Sequence, residues 1–322
     1  MPRVHAARMD ARFARRCALL WSVPAALFAG DALAWGLYTH VYFAQLLVWA
    51  VPLADPALRR AVRRFPERLV AGACLPDLAL VGRFAGTRAF DASHRWEAAH
   101  ALLDEARDDE SRACAVGAAS HLWVDIIAHN HFVPAHEHLW WNVPVLTHAA
   151  SEWAMDRHVA RHLFRPPAAL LRADAWLVDY VARNFDCVPP LAARAIRQLG
   201  RAERLLRRSR LPGLLHGAGR LFDRALAARF DYYVRETTGR LPQINRALAG
   251  EAPAWLADCP AGDAARARIA AHAPELVACR LPLPADLYDP EPTLPRPHGV
   301  SRQQAAVTPA RAGNASFGKL HS

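Results

Sequence analysis

Histidine and acidic side chains recur at helical spacing within an otherwise apolar stretch, residues 117–156. His121 and Asp125 lie four residues apart, and so do His148 and Glu152. On an α-helix this spacing places both side chains of a pair on one face, about one turn apart. Buried without partners, such polar groups would cost much free energy. The pattern therefore predicts two helices that present imidazole and carboxylate groups to a shared partner.

A metal ion would be a suitable partner for these groups. Zinc takes nitrogen from His and oxygen from Asp or Glu, and a catalytic zinc keeps one position open for water. Between the two pairs lie four further histidines, His129, His131, His136 and His138. The chain has six cysteines but no Cys-x-x-Cys pair, which argues against a cysteine-based zinc site. The alternative is that these residues are solvated or satisfied locally without a metal.

The rest of the sequence favours helices. No long strand-like alternation of apolar and polar residues occurs, and amphipathic segments rich in Ala, Leu and Arg fill residues 166–250. We therefore expect an all-α fold, a multi-helix bundle over residues 35–280. From residue 281 the chain is rich in Pro and small polar residues, which predicts a disordered tail over residues 281–322.

The N-terminus has the features of a leader. Arginines precede an apolar run at residues 17–30, and Ala32-Leu33-Ala34 then gives a small-x-small cleavage pattern. This predicts a signal peptide over residues 1–34, a mature N-terminus at Trp35, and export to the periplasm or the medium. An uncleaved anchor or a buried helix is the alternative.

The chain carries a surplus of basic residues. Basic residues outnumber acidic ones by 40 to 30. Such a surplus can attract phosphorylated substrates, anionic lipid or nucleic acid. Because the arginines are spread along the chain, solvated helix faces are the alternative explanation.

Several metal-ligand candidates lie upstream of the His-rich stretch. His40 closes the segment Trp35-Gly36-Leu37-Tyr38-Thr39-His40, which follows the predicted cleavage point. Asp77 follows Pro76 in a predicted loop, and His94 opens a predicted helix, with His100 as the second candidate for the same role. Taken singly, each of these residues is more often structural than a ligand.

The order of these candidates resembles a known family. The set reads Trp35-Gly36-x3-His40, Asp77, His94, His121-x3-Asp125-x5-His131 and His148-x3-Glu152. It is similar to the ligand series of the zinc-dependent phospholipase C family, whose wider superfamily includes the single-strand-specific zinc nucleases. The resemblance covers residues 35–156.

The resemblance implies three sets of zinc ligands. One zinc would be held by Asp77, His94, His121 and Asp125. A second would be held by His131, His148 and Glu152. A third would be held by the free amine and carbonyl of Trp35, with His40 and the bridging Asp125. An α-amine binds metal only as a true, deprotonated N-terminus, which the predicted cleavage supplies.

One ligand position stays open between two histidines. His129 lies four residues after Asp125 and continues the same helical stripe. The family's spacing favours His131, which is within reach if the helix ends near Ala128. We therefore take His131, with His129 as the alternate.

By the same resemblance, the chain is expected to be a zinc-dependent phosphodiester hydrolase with two or three zinc ions. It would cleave a phospholipid to diacylglycerol and a phosphorylated headgroup, with Asp77 orienting or deprotonating the attacking water. A phospholipid or other phosphodiester substrate and peripheral membrane contact are expected, and no stable nucleic-acid partner. One alternative is a nuclease or other phosphodiesterase, because the short spacing from Trp35 to His40 resembles the nuclease branch. Another is a non-catalytic metal-binding or membrane-associated helical protein.

Overall fold

A computed structural model of the chain describes residues 36–140, 144–257 and 283–289, together with residue 271. All regular structure in these residues is helical, which confirms the all-α fold. The predicted leader, Trp35, and residues 290–322 of the predicted tail lie outside the described residues. Of the helices in the described part of the chain, none is both long enough and apolar enough to cross a membrane.

The helices follow one another with short connections. The α-helices are α1 (Leu37–Trp49), α2 (Pro56–Arg64), α3 (Pro66–Gly72), α4 (Leu78–Ala85), α5 (Trp96–Asp104), α6 (Asp109–Ile127), α7 (Val133–Leu139), α8 (Pro144–Val159), α9 (Pro167–Leu170), α10 (Ala175–Asn184), α11 (Pro189–Arg208), α12 (Leu211–Phe222), α13 (Leu226–Arg240) and α14 (Ile244–Leu248). A π-helical segment spans Ala128–Phe132, and 3₁₀ turns span Ala160–His162 and Leu241–Gln243.

Helix α6 is the centre of the fold. Every residue from Ala113 to Ile127 is buried, and α1, α2, α3 and α5 pack around it. Two glycines allow α3 and α6 to cross in backbone contact. A Cβ atom on Gly117 would lie 2.0 Å from the carbonyl oxygen of Leu69, and one on Gly72 would lie 2.0 Å from that of Cys114. This crossing brings the backbone after α3 against the face of α6 that carries the candidate ligands.

Helical structure continues beyond the expected end of α6. The sequence predicts that this helix ends near Ala128, but a π-helical segment carries the chain on to Phe132. Such segments add a residue within a helical run and are frequent at functional sites. His129 and His131 therefore lie on a helical segment, which decides which of the two can face the other candidate metal ligands.

Helices α2 and α3 are separated by a break at Phe65, whose φ of −126° and ψ of 58° are not helical. The following proline disfavours the α conformation at Phe65, which accounts for the break. Helix α1 begins with Gly36 as its N-cap.

The predicted disordered tail begins too early. Leu283 and Leu287 are fully buried, and the Arg240 guanidinium donates hydrogen bonds to the carbonyl oxygens of Leu283 and Pro284. Residues 283–289 therefore belong to the folded body, because two leucines in this Pro-rich stretch bury their side chains.

Candidate metal centre

The predicted ligands come from different parts of the chain and converge at one end of α6. His40 lies on α1, and Asp77 and His94 lie just before α4 and α5. Helix α6 supplies His121 and Asp125. The remaining candidates lie on the π-helical segment and on α8. With the exception of His148, whose side chain is 18% exposed, the histidines and acids that meet here are buried.

The carboxylate of Asp125 lies at the centre of the cluster. Its Oδ1 atom is 3.3 Å from His40 Nε2 and 3.9 Å from His129 Nε2. Its Oδ2 atom is 3.0 Å from His121 Nε2 and 3.9 Å from His94 Nε2. Asp125 thus faces four imidazoles at once, a position in which a carboxylate can bridge neighbouring metal ions.

The first group of candidate ligands is Asp77, His94 and His121. His94 Nε2 lies 3.6 Å from Asp77 Oδ1, and His121 Nε2 lies 3.8 Å from the same oxygen. The two imidazole nitrogens are 3.2 Å apart. Tetrahedral zinc ligands with bonds near 2.0–2.1 Å lie roughly 3.3–3.4 Å from one another. The family resemblance assigns these residues, together with Asp125, to one zinc ion, and their separations of 3.2–3.8 Å are close to those of tetrahedral zinc ligands.

The second group consists of His129, His148 and Glu152. His148 Nε2 lies 2.8 Å from Glu152 Oε1, and the His129 and His148 rings meet edge to face with centroids 5.2 Å apart. The family spacing favours His131 for this group, but His129 is the histidine that lies there. His131 is buried beside Trp255, with ring centroids 5.4 Å apart, and joins none of the donor groups among the described residues.

The π-helical segment explains this difference. The choice of His131 rests on a helix that ends near Ala128, after which the chain would be free to turn. Because the chain stays helical through Phe132, the stripe from His121 through Asp125 continues to His129.

The third group is His40, His121 and Asp125. The His40 and His121 rings stack with centroids 3.6 Å apart and an interplanar angle of 13°. His40 Nε2 also lies 3.3 Å from Asp125 Oδ1. The fourth predicted member of this set, Trp35, lies outside the described residues.

A backbone contact fixes the orientation of the His121 ring. Its Nδ1 atom lies 2.8 Å from the carbonyl oxygen of Ala73, just after the close crossing of α3 and α6. Because a carbonyl only accepts, Nδ1 carries the hydrogen and donates it. When the ring is neutral, the lone pair is on Nε2, which lies 3.0 Å from Asp125 Oδ2 and 3.2 Å from His94 Nε2. Second-shell bonds of this kind hold metal-binding histidines in the productive tautomer.

The electrostatics of the cluster call for a cation. Burial lowers the pKa of His121, but the carboxylates of Asp125 and Asp77 outweigh it and raise the pKa to about 9. Burial, together with the charges of Asp125 and Asp77, raises the pKa of Glu152. Burial and three neighbouring histidines lower the pKa of His129, so that its ring is neutral and able to ligate. A metal ion would satisfy the carboxylates and displace the proton from His121.

Buried atoms without hydrogen-bond partners test the fit of a metal independently. They include Asp77 Oδ1, Asp125 Oδ1 and His129 Nε2. Unsatisfied polar atoms are rare in protein interiors. Their concentration at one place, with nitrogen and oxygen donors at ligand spacing, fits zinc.

Sequence reasoning missed a residue that supports the centre, Asp156. Its Oδ1 accepts hydrogen bonds from the backbone N–H of Thr39 at 2.9 Å and from the Thr39 hydroxyl at 2.8 Å. Its other oxygen pairs with Arg207. A Cβ atom on Gly36 would lie 2.1 Å from this carboxylate, so only glycine allows the approach. Asp156 thereby holds the first turn of α1, which carries His40, against α8.

A signal for this residue exists in the sequence. Asp156 lies four residues after Glu152 and continues the stripe that begins at His148. His100, the second candidate for the role of His94, lies outside the cluster. Its Nε2 atom is 3.0 Å from the Ala247 carbonyl oxygen.

Comparison with known families agrees with this geometry. Residues 39–185 match the family model described as zinc dependent phospholipase C. This segment is similar to the zinc-dependent phospholipase C family. The matched residues include all three donor groups. No significant match was found among curated proteins or among solved structures.

Proposed function

We propose that the protein hydrolyses the phosphodiester bond of a phospholipid, releasing diacylglycerol and a phosphorylated headgroup. The observation that carries this proposal is the meeting of three donor groups around Asp125 within a segment of phospholipase C type. Phosphodiester hydrolysis requires positive charge near the phosphate oxygens and an activated water. A cluster of buried imidazoles and carboxylates is suited to hold the metal ions that provide both.

Individual side chains of the cluster have defined roles in this chemistry. When bound, zinc supplies a water of lowered pKa and positive charge for the phosphate oxygens. His121 is held in one tautomer by the Ala73 carbonyl, so that Nε2 is available as a ligand. Asp77 Oδ1 faces the ligand nitrogens of His94 and His121 without a hydrogen-bond partner. We assign to this oxygen the orientation of the attacking water and the acceptance of its proton.

Two or three zinc ions are proposed for the cluster. The first and second groups supply separate donors, and Asp125 lies between them. The third group adds His40, and it would be completed by a free amine at Trp35. We therefore also propose that the chain is exported and cut before Trp35, so that N-terminal sequencing of the mature protein reads Trp-Gly-Leu.

A substrate comparison with metal analysis tests the proposed activity. Zinc-loaded protein is expected to hydrolyse phosphatidylcholine faster than single-stranded DNA, with diacylglycerol as a product. The reverse preference would instead assign it to the nuclease branch. Asp77→Asn should abolish turnover, since the amide cannot accept the proton, whereas His100→Ala, outside the cluster, serves as the matched control. A protein that binds fewer than two metal ions and turns over neither substrate would refute the proposal.

A further inference from the structure

Helix α12 presents an unusual surface beyond the family segment. Its outward face carries Leu214, Gly217, Ala218 and Leu221, all of them exposed. Leu214 is 65% exposed and Leu221 is 82% exposed. Spacings of three, four and seven residues place these side chains on one side of the helix. The face is apolar along its length where a surface helix is normally polar.

Arginines flank this apolar face. A cavity of about 540 Å³ is lined by Arg157, Arg207 and Arg210 with Leu214. A second cavity of about 450 Å³ is lined by Arg157, Arg161 and Arg220, with His216 from α12 and a single acidic residue, Asp231. Both cavities thus border on α12, one beside its first turn and one further along.

The positive charge of these cavities is largely uncompensated. Arg207 pairs with Asp156 and Glu203, and Asp231 pairs with His158. In contrast, the guanidinium groups of Arg157, Arg210 and Arg220 are exposed and form no ion pair with a described residue. Exposed guanidinium groups around a concave surface are suited to phosphate oxygens, which they bind in bidentate fashion.

We propose that α12, with Arg157, Arg161, Arg210 and Arg220, docks the protein on the surface of an anionic phospholipid bilayer. An apolar face that enters the acyl boundary, with arginines at its edges for headgroup phosphates, is the arrangement of interfacial helices. Nucleic acid would explain the arginines but would leave the exposed leucines unused. A second copy of the chain would bring like charges together, since the net charge is +10.

The docking surface lies close to the helix that carries part of the metal centre. Helix α12 packs along α8, the helix that carries His148 and Glu152. A bilayer held at α12 would therefore lie beside the helix that supplies part of the metal centre. The docking itself needs no bound metal and no catalysis, so it goes beyond the proposed activity and is tested separately.

Vesicle co-sedimentation of the full, zinc-loaded chain tests the docking surface. We expect binding to vesicles with equal amounts of phosphatidylcholine and phosphatidylglycerol, weakened by salt, and much weaker binding to phosphatidylcholine alone. The double variant Leu214→Ser/Leu221→Ser should weaken binding roughly tenfold or more. The double variant Arg210→Ala/Arg220→Ala should weaken binding to the anionic vesicles about thirtyfold.

Matched controls come from exposed residues elsewhere. Val188 is 57% exposed, and Arg63 is exposed without an ion pair to a described residue. Val188→Ser and Arg63→Ala should therefore bind as the unchanged protein does. The proposal is overturned if the full chain does not sediment with anionic vesicles, or if the α12 variants bind as the controls do. It is also overturned if the leucine variant turns a dimer into a monomer with vesicle binding intact, since that result would assign the face to self-association.

Discussion

Replacement of Gly117 by alanine should weaken zinc binding without touching a ligand. The new Cβ would lie 2.0 Å from the Leu69 carbonyl oxygen and 2.8 Å from the Ala73 nitrogen. Real contacts of this kind are not closer than 3.0 Å, so α3 and α6 must separate by about 1 Å. His121 lies one turn further along α6, and its hydrogen bond to Ala73 is 2.8 Å long. A separation of this size would break that bond.

The expected effect has two parts. Loss of the second-shell bond should lower zinc affinity about 10–100-fold. Forced separation of two packed helices should cost about 1–3 kcal/mol of stability, which corresponds to roughly 2–12 °C in Tm. Zinc affinity is measured by competition with a chromophoric chelator, and Tm by circular dichroism of the metal-free protein.

The matched control is Gly239→Ala. Gly239 is also helical, and a Cβ added there meets nothing within 4 Å. Alanine should therefore stabilise the helix by about 0.5–1 kcal/mol and leave zinc affinity unchanged. If Gly117→Ala retained both the Tm and the zinc affinity of the unchanged protein, the close crossing would have no part in forming the site.

Three further results are expected. His121→Ala and Asp125→Ala should each abolish hydrolysis and reduce zinc content, and full activity in either would contradict the ligand assignment. His129→Ala should lose more zinc than His131→Ala, as measured by elemental analysis after dialysis; equal losses would argue against the second group as described. Burial lowers the pKa of His136 to about 3, so the folded protein keeps this ring neutral. Between about pH 3 and pH 6.5, the unfolded chain therefore binds a proton at this ring that the folded protein does not bind. The free energy of unfolding of the metal-free protein should then fall by about 1.4 kcal/mol per pH unit from about pH 6.5 towards pH 3. His136→Phe should reduce the slope by about 1.4 kcal/mol per pH unit relative to the unchanged protein, and an unchanged slope would mean that the buried ring does not titrate on unfolding.

Much of the centre could be predicted because its ligands follow helical periodicity. His121 with Asp125, and His148 with Glu152, are paired by their spacing alone. The all-α fold class could also be predicted from periodicity, since no long segment alternates apolar and polar residues as a strand does.

Other features depend on contacts that spacing does not contain. The sequence gives no local sign of the π-helical segment, so the choice of His131 over His129 was drawn from family spacing and differs from the observed group. The crossing at Gly72 and Gly117, which sets the Ala73 carbonyl beside the site, joins residues far apart in the chain. The order in residues 283–289 arises from two buried leucines in a Pro-rich stretch whose composition predicted disorder.

The most direct measurement is a crystallographic anomalous difference map recorded at the zinc absorption edge. We expect one peak among Asp77, His94 and His121, and a second among His129, His148 and Glu152, with Asp125 between them. A zinc-soaked crystal with no anomalous density at either group would contradict the assignment of this cluster as a metal centre.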